Sequence, residues 1–336
     1  MKKGKVSILE TNILYLVAAL LLVTIGAYAQ STNIKLGLII TEYILVLLPV
    51  IIFLKVKGIG IRKFLRFNKI RVKHGLVVVL VTLLSYPIAA FANVIVLSIL
   101  SFLGLDIIPS PVPVAENFSE YIVLFFIIAI SAGICEEVLF RGLLLRVYEE
   151  KYKMVGIVTT AVMFGVFHFN LQNLAAPIVL GLVFGYLVHI TDSIYAGIIG
   201  HITNNGIAVT LMYGLTILYE KLGQYGNFAP DKNTMPTTGQ LIAATVLLGV
   251  IATASGTLAF LLIRYLKRDI DSNLLDNQDD YYEYENSNID IDSFYEKNMD
   301  NQIDQQKEEG YRFIRFIPVG IVCVMYIFFS YLQFSW

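Results

Sequence analysis

Charge is scarce in this sequence: Asp, Glu, Lys and Arg make up 15% of the 336 residues against 57% hydrophobic residues, and mean hydropathy is +0.69. So little charge argues against a water-soluble domain and for a bilayer as the main solvent. The net charge of −1 gives no overall attraction to nucleic acid, and no surface of interleaved aromatic and basic residues is evident. Cysteine is equally sparse. Cys135 and Cys323 both sit in apolar runs, and their spacing fits neither a metal knuckle nor a disulfide framework, so both read as buried thiols. No GxGxxG, Walker loop, HExxH helix or internal repeat is present, which argues against the nucleotide-binding, helical zinc-protease and repeat classes that those patterns mark.

What the chain does have is apolar runs of about 20 residues, the length of a transmembrane helix. The expected fold is an all-α, polytopic transmembrane bundle of eight or nine spans, the nine runs lying near 13–30, 36–54, 76–103, 121–145, 154–169, 171–190, 194–216, 239–264 and 313–334. Lys2, Lys3 and Lys5 precede the first run, and eight Lys and Arg residues from Lys55 to Lys73 follow the second. Positive charge marks the cytoplasmic side, so the expectation is a multi-pass protein of the cell membrane with a cytoplasmic amino terminus. The loops 106–117 and 220–236 then fall outside.

The organisation expected is 1–117 for the first spans and their basic loop, 118–215 for a functional core, 216–268 for a further span, 269–311 for an acidic, disordered cytoplasmic linker and 312–336 for the last span. The linker reading follows from 14 of the 26 acidic residues falling between 269 and 309 with only Lys297 and Lys307 as bases. Gly58–Ile70 intersperses apolar and basic residues and reads chiefly as an orientation signal. Ala27-Tyr28-Ala29 resembles a signal-peptidase site, but the long apolar run before it favours an uncleaved anchor.

Ionisable residues near a bilayer centre cost about 2.5–3.5 kcal/mol on insertion scales, which makes them functional candidates. In Gly133-Ile134-Cys135-Glu136-Glu137-Val138-Leu139-Phe140-Arg141, Glu137 and Arg141 are four apart on one helical face and form a structural pair. Glu136 points about 100° away and is free for proton transfer. Phe164 and His168 share a face, as do His201 and Asn205, and Phe164 is assigned to packing against the His168 ring. A carboxylate with a histidine can activate water and protonate a leaving amine, and a second histidine with an asparagine can donate to an oxyanion. Each residue also has a plainer role as interhelical glue; the coincidence of three polar clusters on nearby spans favours the chemical one.

In this order, Glu136-Glu137-x-x-x-Arg141, Phe164-x-x-x-His168 and His201-x-x-x-Asn205 resemble the three motifs of the CAAX prenyl protease and bacteriocin-processing (CPBP) family of intramembrane proteases, over about residues 118–215. The resemblance implies an endopeptidase in which Glu136 and His168 activate water, His201 and Asn205 stabilise the oxyanion, and Glu137 and Arg141 hold the site together. It implies a membrane-associated peptide or protein as substrate, no nucleic acid, and no cofactor; zinc on Glu136, His168 and His201 is the metal-dependent alternative. The chain is more similar to the bacterial branch, with proposed roles in peptide maturation, bacteriocin immunity and control of surface proteins, and the active site is expected to open toward the cytoplasm. Competing readings are a non-catalytic immunity or regulatory protein that binds a peptide or partner, and a proton-coupled transporter.

Overall fold

The computed structural model describes residues 5–108, 112–223, 236–285 and 313–335. Those residues are helical apart from turns and short connections, with no strand among them. Nine long helices follow in order: α1 Ile8–Thr32, α2 Ile34–Val56, α3 Val72–Phe102, α4 Phe118–Glu150, α5 Lys153–Phe167, α6 Ala175–Thr191, α7 Ile194–Gly223, α8 Thr238–Glu285 and α9 Ile314–Gln333. Six of them, α1 to α4, α8 and α9, are long and apolar enough to cross a membrane, fewer than the eight or nine spans expected.

The difference has a physical cause. At 1.5 Å per residue, α5 and α6 are only about 23 and 26 Å long, short of a hydrocarbon core of about 30 Å. They leave the basic end at Lys153, turn at Phe167–Leu174 and return to the same end at Asp192, a hairpin with its tip inside the bundle. The other apolar run, α7, is long but diluted by His201, Thr203, Asn204 and Asn205. Between α4 and α5 the backbone stays helical through the reversal. A Cβ on Gly156 would stand 3.1 Å from the Glu149 nitrogen, whereas seven residues of straight helix would separate them by about 10 Å.

The core gathers α1, α4 and α5. Tyr15, fully buried, donates to the Met163 carbonyl at 2.8 Å and packs edge-on against Phe140. Asn12 on α1 joins the last helix to this core, its amide donating to the Arg315 carbonyl at 2.8 Å while its oxygen accepts from the Tyr148 hydroxyl at 2.9 Å.

The basic loop does more than orient the chain. It forms one short helical turn, Ile61–Phe64, and drives the fully buried Leu65 against Gly142 of α4. Arg66, in the left-handed region at φ 57°, pairs with Glu149 at 2.6 Å and Asp192 at 3.0 Å. These contacts fasten the basic loop to the carboxyl-terminal ends of α4 and α6.

Two expectations change. The α8 helix continues to Glu285 rather than giving way to a linker at 269, and Asp269 bonds Lys73 at 2.7 Å and His74 at 2.8 Å, contacts that anchor this part of α8 to the first turn of α3. The rest of the expected linker, 286–311, lies outside the described residues. Cys135 is buried, but Cys323 on α9 is exposed on the outer surface of the bundle rather than in its core.

Candidate active site

A cavity of about 530 Å³ opens among α2, α3, α4, α6 and α7. Its lining includes Glu136, His168, His201 and Asn205, so four residues separated by up to 69 positions share one space. Glu137 and Arg141 stand behind it, almost fully buried.

The support is built around Glu137. Its Oε1 accepts from Arg141 Nη1 at 2.6 Å and from His201 Nδ1 at 2.9 Å, so one oxygen holds both the arginine expected from the spacing and a histidine 64 positions away. Charge-assisted bonds of this kind are short and strong. Arg141 Nη2 reaches the Gly181 carbonyl at 3.4 Å, tying α4 to α6. Its guanidinium lies over the Phe164 ring at 4.5 Å, so an otherwise unaffordable buried cation is met by a carboxylate on one side and an aromatic face on the other.

Phe164 packs edge-on against His168 at 5.0 Å, as expected, and also against His201 at 5.7 Å. One phenylalanine thus spaces both imidazoles. On the other side Phe184 stacks on His201 at 5.9 Å. With Nδ1 donating to Glu137, His201 turns Nε2 toward Glu136 Oε2, 3.9 Å away and beyond direct hydrogen-bond distance. His168 Nδ1 donates to the Phe164 carbonyl at 2.9 Å, which leaves Nε2 as the acceptor in the neutral ring. Asn205 is fixed by one amide N–H to the Ile128 carbonyl at 3.0 Å and keeps a second N–H.

Close approach of α4 and α7 requires glycine. A Cβ on Gly197 would stand 2.3 Å from Glu137 Oε2, and one on Gly133 2.6 Å from Ile202 Cγ1. Gly197→Ala is therefore expected to push Glu137 off His201 and lower the unfolding temperature in detergent by several degrees, the effect of about 1–3 kcal/mol of overpacking; an unchanged transition would show that α7 can retreat freely.

Glu42 was missed by the motif reading. It lines the same cavity from α2, is only 7% exposed, and both its Oε2 and Glu136 Oε2 are buried without a hydrogen-bond partner. The signal was present, since Glu42 is the one charged residue between Leu36 and Leu54. The zinc alternative finds no cluster: among the described residues no three His, Cys, Asp or Glu side chains are grouped so as to hold a metal ion, the set Glu136, His168 and His201 included.

The cavity also runs in an unexpected direction. From its polar floor the lining climbs α7 from His201 to Met212 and α2 from Glu42 back to Ile34, and reaches Val114 in the loop after α3. Those are the helix ends remote from the basic loop, whereas a mouth on the basic side was expected; on that side Phe164, Phe184 and the Glu137–Arg141 pair close the floor.

The long apolar helices define a multi-pass membrane protein. Residues 118–207, which contain all three motifs, match the family described as type II CAAX prenyl endopeptidase Rce1-like, a match that supports the CPBP resemblance over that segment. No curated protein and no solved structure gives a significant match.

Proposed function

We propose that the chain is an intramembrane endopeptidase that hydrolyses peptide bonds in membrane-associated peptides or proteins, with water activated by Glu136 and no metal. The observation that carries this reading is the shared cavity: an unpartnered carboxylate, an imidazole with its acceptor nitrogen free, and a second imidazole with an asparagine amide, all facing a space of about 530 Å³, within the range of about 300–1,000 Å³ usual for ligand sites.

In this mechanism Glu136 takes a proton from water as the oxygen attacks the scissile carbonyl carbon. The carbonyl π pair moves onto oxygen, where the protonated His201 and the second Asn205 N–H donate to the oxyanion. Glu137 holds His201 in the orientation that presents Nε2. As the oxyanion collapses the C–N bond breaks, and the leaving amine receives the proton collected by Glu136, with His168 Nε2 positioned to relay it.

Glu42 is the second carboxyl group of the cavity. It faces the same space as Glu136, and the Oε2 of each is buried without a hydrogen-bond partner. Glu42→Gln, which keeps the side chain's shape and hydrogen-bonding capacity, is expected to retain cleavage within about tenfold, whereas Glu42→Leu should lose about 100-fold. Equal rates for wild type and the Leu variant would place Glu42 outside the chemistry. The overall reading is tested by peptide cleavage with the purified protein, comparing wild type with Glu136→Gln and adding a chelator: loss of cleavage in the variant and indifference to the chelator are expected, and chelator inhibition reversed by zinc would overturn the metal-free mechanism.

A further inference from the structure

Which face of the membrane supplies the substrate follows from where the cavity goes, together with where the positive charge lies. All strongly basic segments collect at one end of the bundle. Lys57 pairs with Glu10 at the start of α1, Arg66 pairs with Glu149 at the end of α4, and the Arg66 carbonyl accepts from Ile194 N at the start of α7 at 2.9 Å. At the opposite end Lys35, in the first turn of α2, pairs with Glu120 near the start of α4. Eight Lys and Arg residues between Lys55 and Lys73 assign the first end to the cytoplasm.

The cavity lining extends from the middle of the bundle toward the other end. Along α3 it runs from Tyr86 to Asn93 and along α4 from Glu136 back to Ile127, so on both helices it starts near mid-helix and extends toward the end remote from the basic loop. Among the described residues no Lys or Arg lines the space, and Glu42 and Glu136 are its only acids. Its walls carry amides instead. Asn93 donates to the Gln172 carbonyl and Asn204 to Asn205, but the Oδ1 of each is buried without a partner. Two unmet acceptors above a hydrolytic floor suit backbone N–H donors of an extended chain, while the two carboxylates repel acidic side chains at the cleavage point.

We propose that the cavity is entered from the non-cytoplasmic face and takes an extended peptide segment exposed there, its backbone N–H groups received by Asn93 and Asn204 and its residues at the scissile bond not acidic. The substrate class is thus an exported peptide or the outer flank of a membrane protein. The inference rests on the peptidase reading for the cleavage, but the face of entry is tested separately.

For the face, full-length Val114→Cys, Ile34→Cys and Lys63→Cys chains, each with Cys323→Ser, are treated in intact cells with a membrane-impermeant maleimide. Labelling of Val114→Cys and Ile34→Cys without permeabilisation, and of Lys63→Cys only after it, is the expected result; the reverse pattern overturns the proposal. For the substrate, Asn93→Ala and Asn204→Ala are each expected to raise KM about fivefold with kcat little changed, the size of one hydrogen bond, and peptides with Asp or Glu at the scissile bond are expected to be cut at least tenfold less well than neutral ones. Unchanged KM in both variants, or preference for acidic peptides, overturns the assigned substrate class. External labelling of Val114→Cys by a protein that cuts no peptide would leave the entry face standing and remove the peptidase reading.

Discussion

Glu136→Gln is expected to lower peptide cleavage by about 1,000-fold while leaving the protein folded and able to bind substrate. The substitution swaps one oxygen for an amide of nearly equal size, and that side chain's Oε2 has no partner to lose, so the fold has little reason to respond. Chemistry does: general-base assistance is worth about 100- to 10,000-fold, and a neutral amide cannot take the proton from water. The matching observation is a drop in kcat with KM nearly unchanged, because the base is used in the transition state rather than in binding. A non-catalytic immunity or regulatory protein that used the same cavity to hold a peptide would instead keep its cellular activity in this variant. A proton-coupled transporter would lose transport and show no cleavage products from either protein.

The second large effect concerns stability. Arg141→Met strands Glu137, which has no exposed surface, and removes the cation from over the Phe164 ring. Breaking a buried pair by deleting one partner costs about 3–5 kcal/mol, a large part of the stability of a typical domain. The expected result is a marked fall in the thermal unfolding midpoint in detergent. Glu137→Leu combined with Arg141→Met removes both charges and should recover most of that stability, since replacing a buried pair by apolar side chains is often close to neutral. Cleavage should not return with it, because His201 has lost the Glu137 oxygen that orients Nδ1. Recovery of both properties in the double variant would show that Glu137 serves the fold alone.

Much of this arrangement is legible in the sequence, in the parts governed by local spacing. Hydropathy locates the helices, and the four-residue step from Glu137 to Arg141 gives an ion pair that the structure contains at 2.6 Å. Phe164 against His168 is likewise a single-turn relation. What spacing cannot carry is pairing across helices. The bond from His201 to Glu137 joins α7 to α4, and Glu42 meets the cavity from α2, outside the segment that carries the motifs. Helix widening adds to this: α2 is π-helical over Ile40–Leu47 and α4 over Val138–Leu145, which rotates side chains away from a 3.6-residue face.

Depth was the other obscured quantity. Treated as the end of a full span, His168 falls too far from Glu136, about 21 Å from the start of its helix. The short α5–α6 hairpin accounts for the convergence, since its tip stops inside the bundle and places His168 beside the cavity floor. The same hairpin seals the basic side. A hydropathy profile records an apolar run without recording whether the run crosses, which is why it gives eight or nine spans where six helices among the described residues are long and apolar enough to cross.

The central claim, that the cavity at Glu136 cuts peptide bonds, is tested most directly by incubating the purified chain in bilayers with a library of membrane peptides and identifying new termini by mass spectrometry. The account predicts discrete new carboxyl and amino termini with wild type, and their absence with Glu136→Gln at matched folding. A folded wild-type preparation that yields no new termini, or a Glu136→Gln variant that yields the same ones at the same rate, would contradict it.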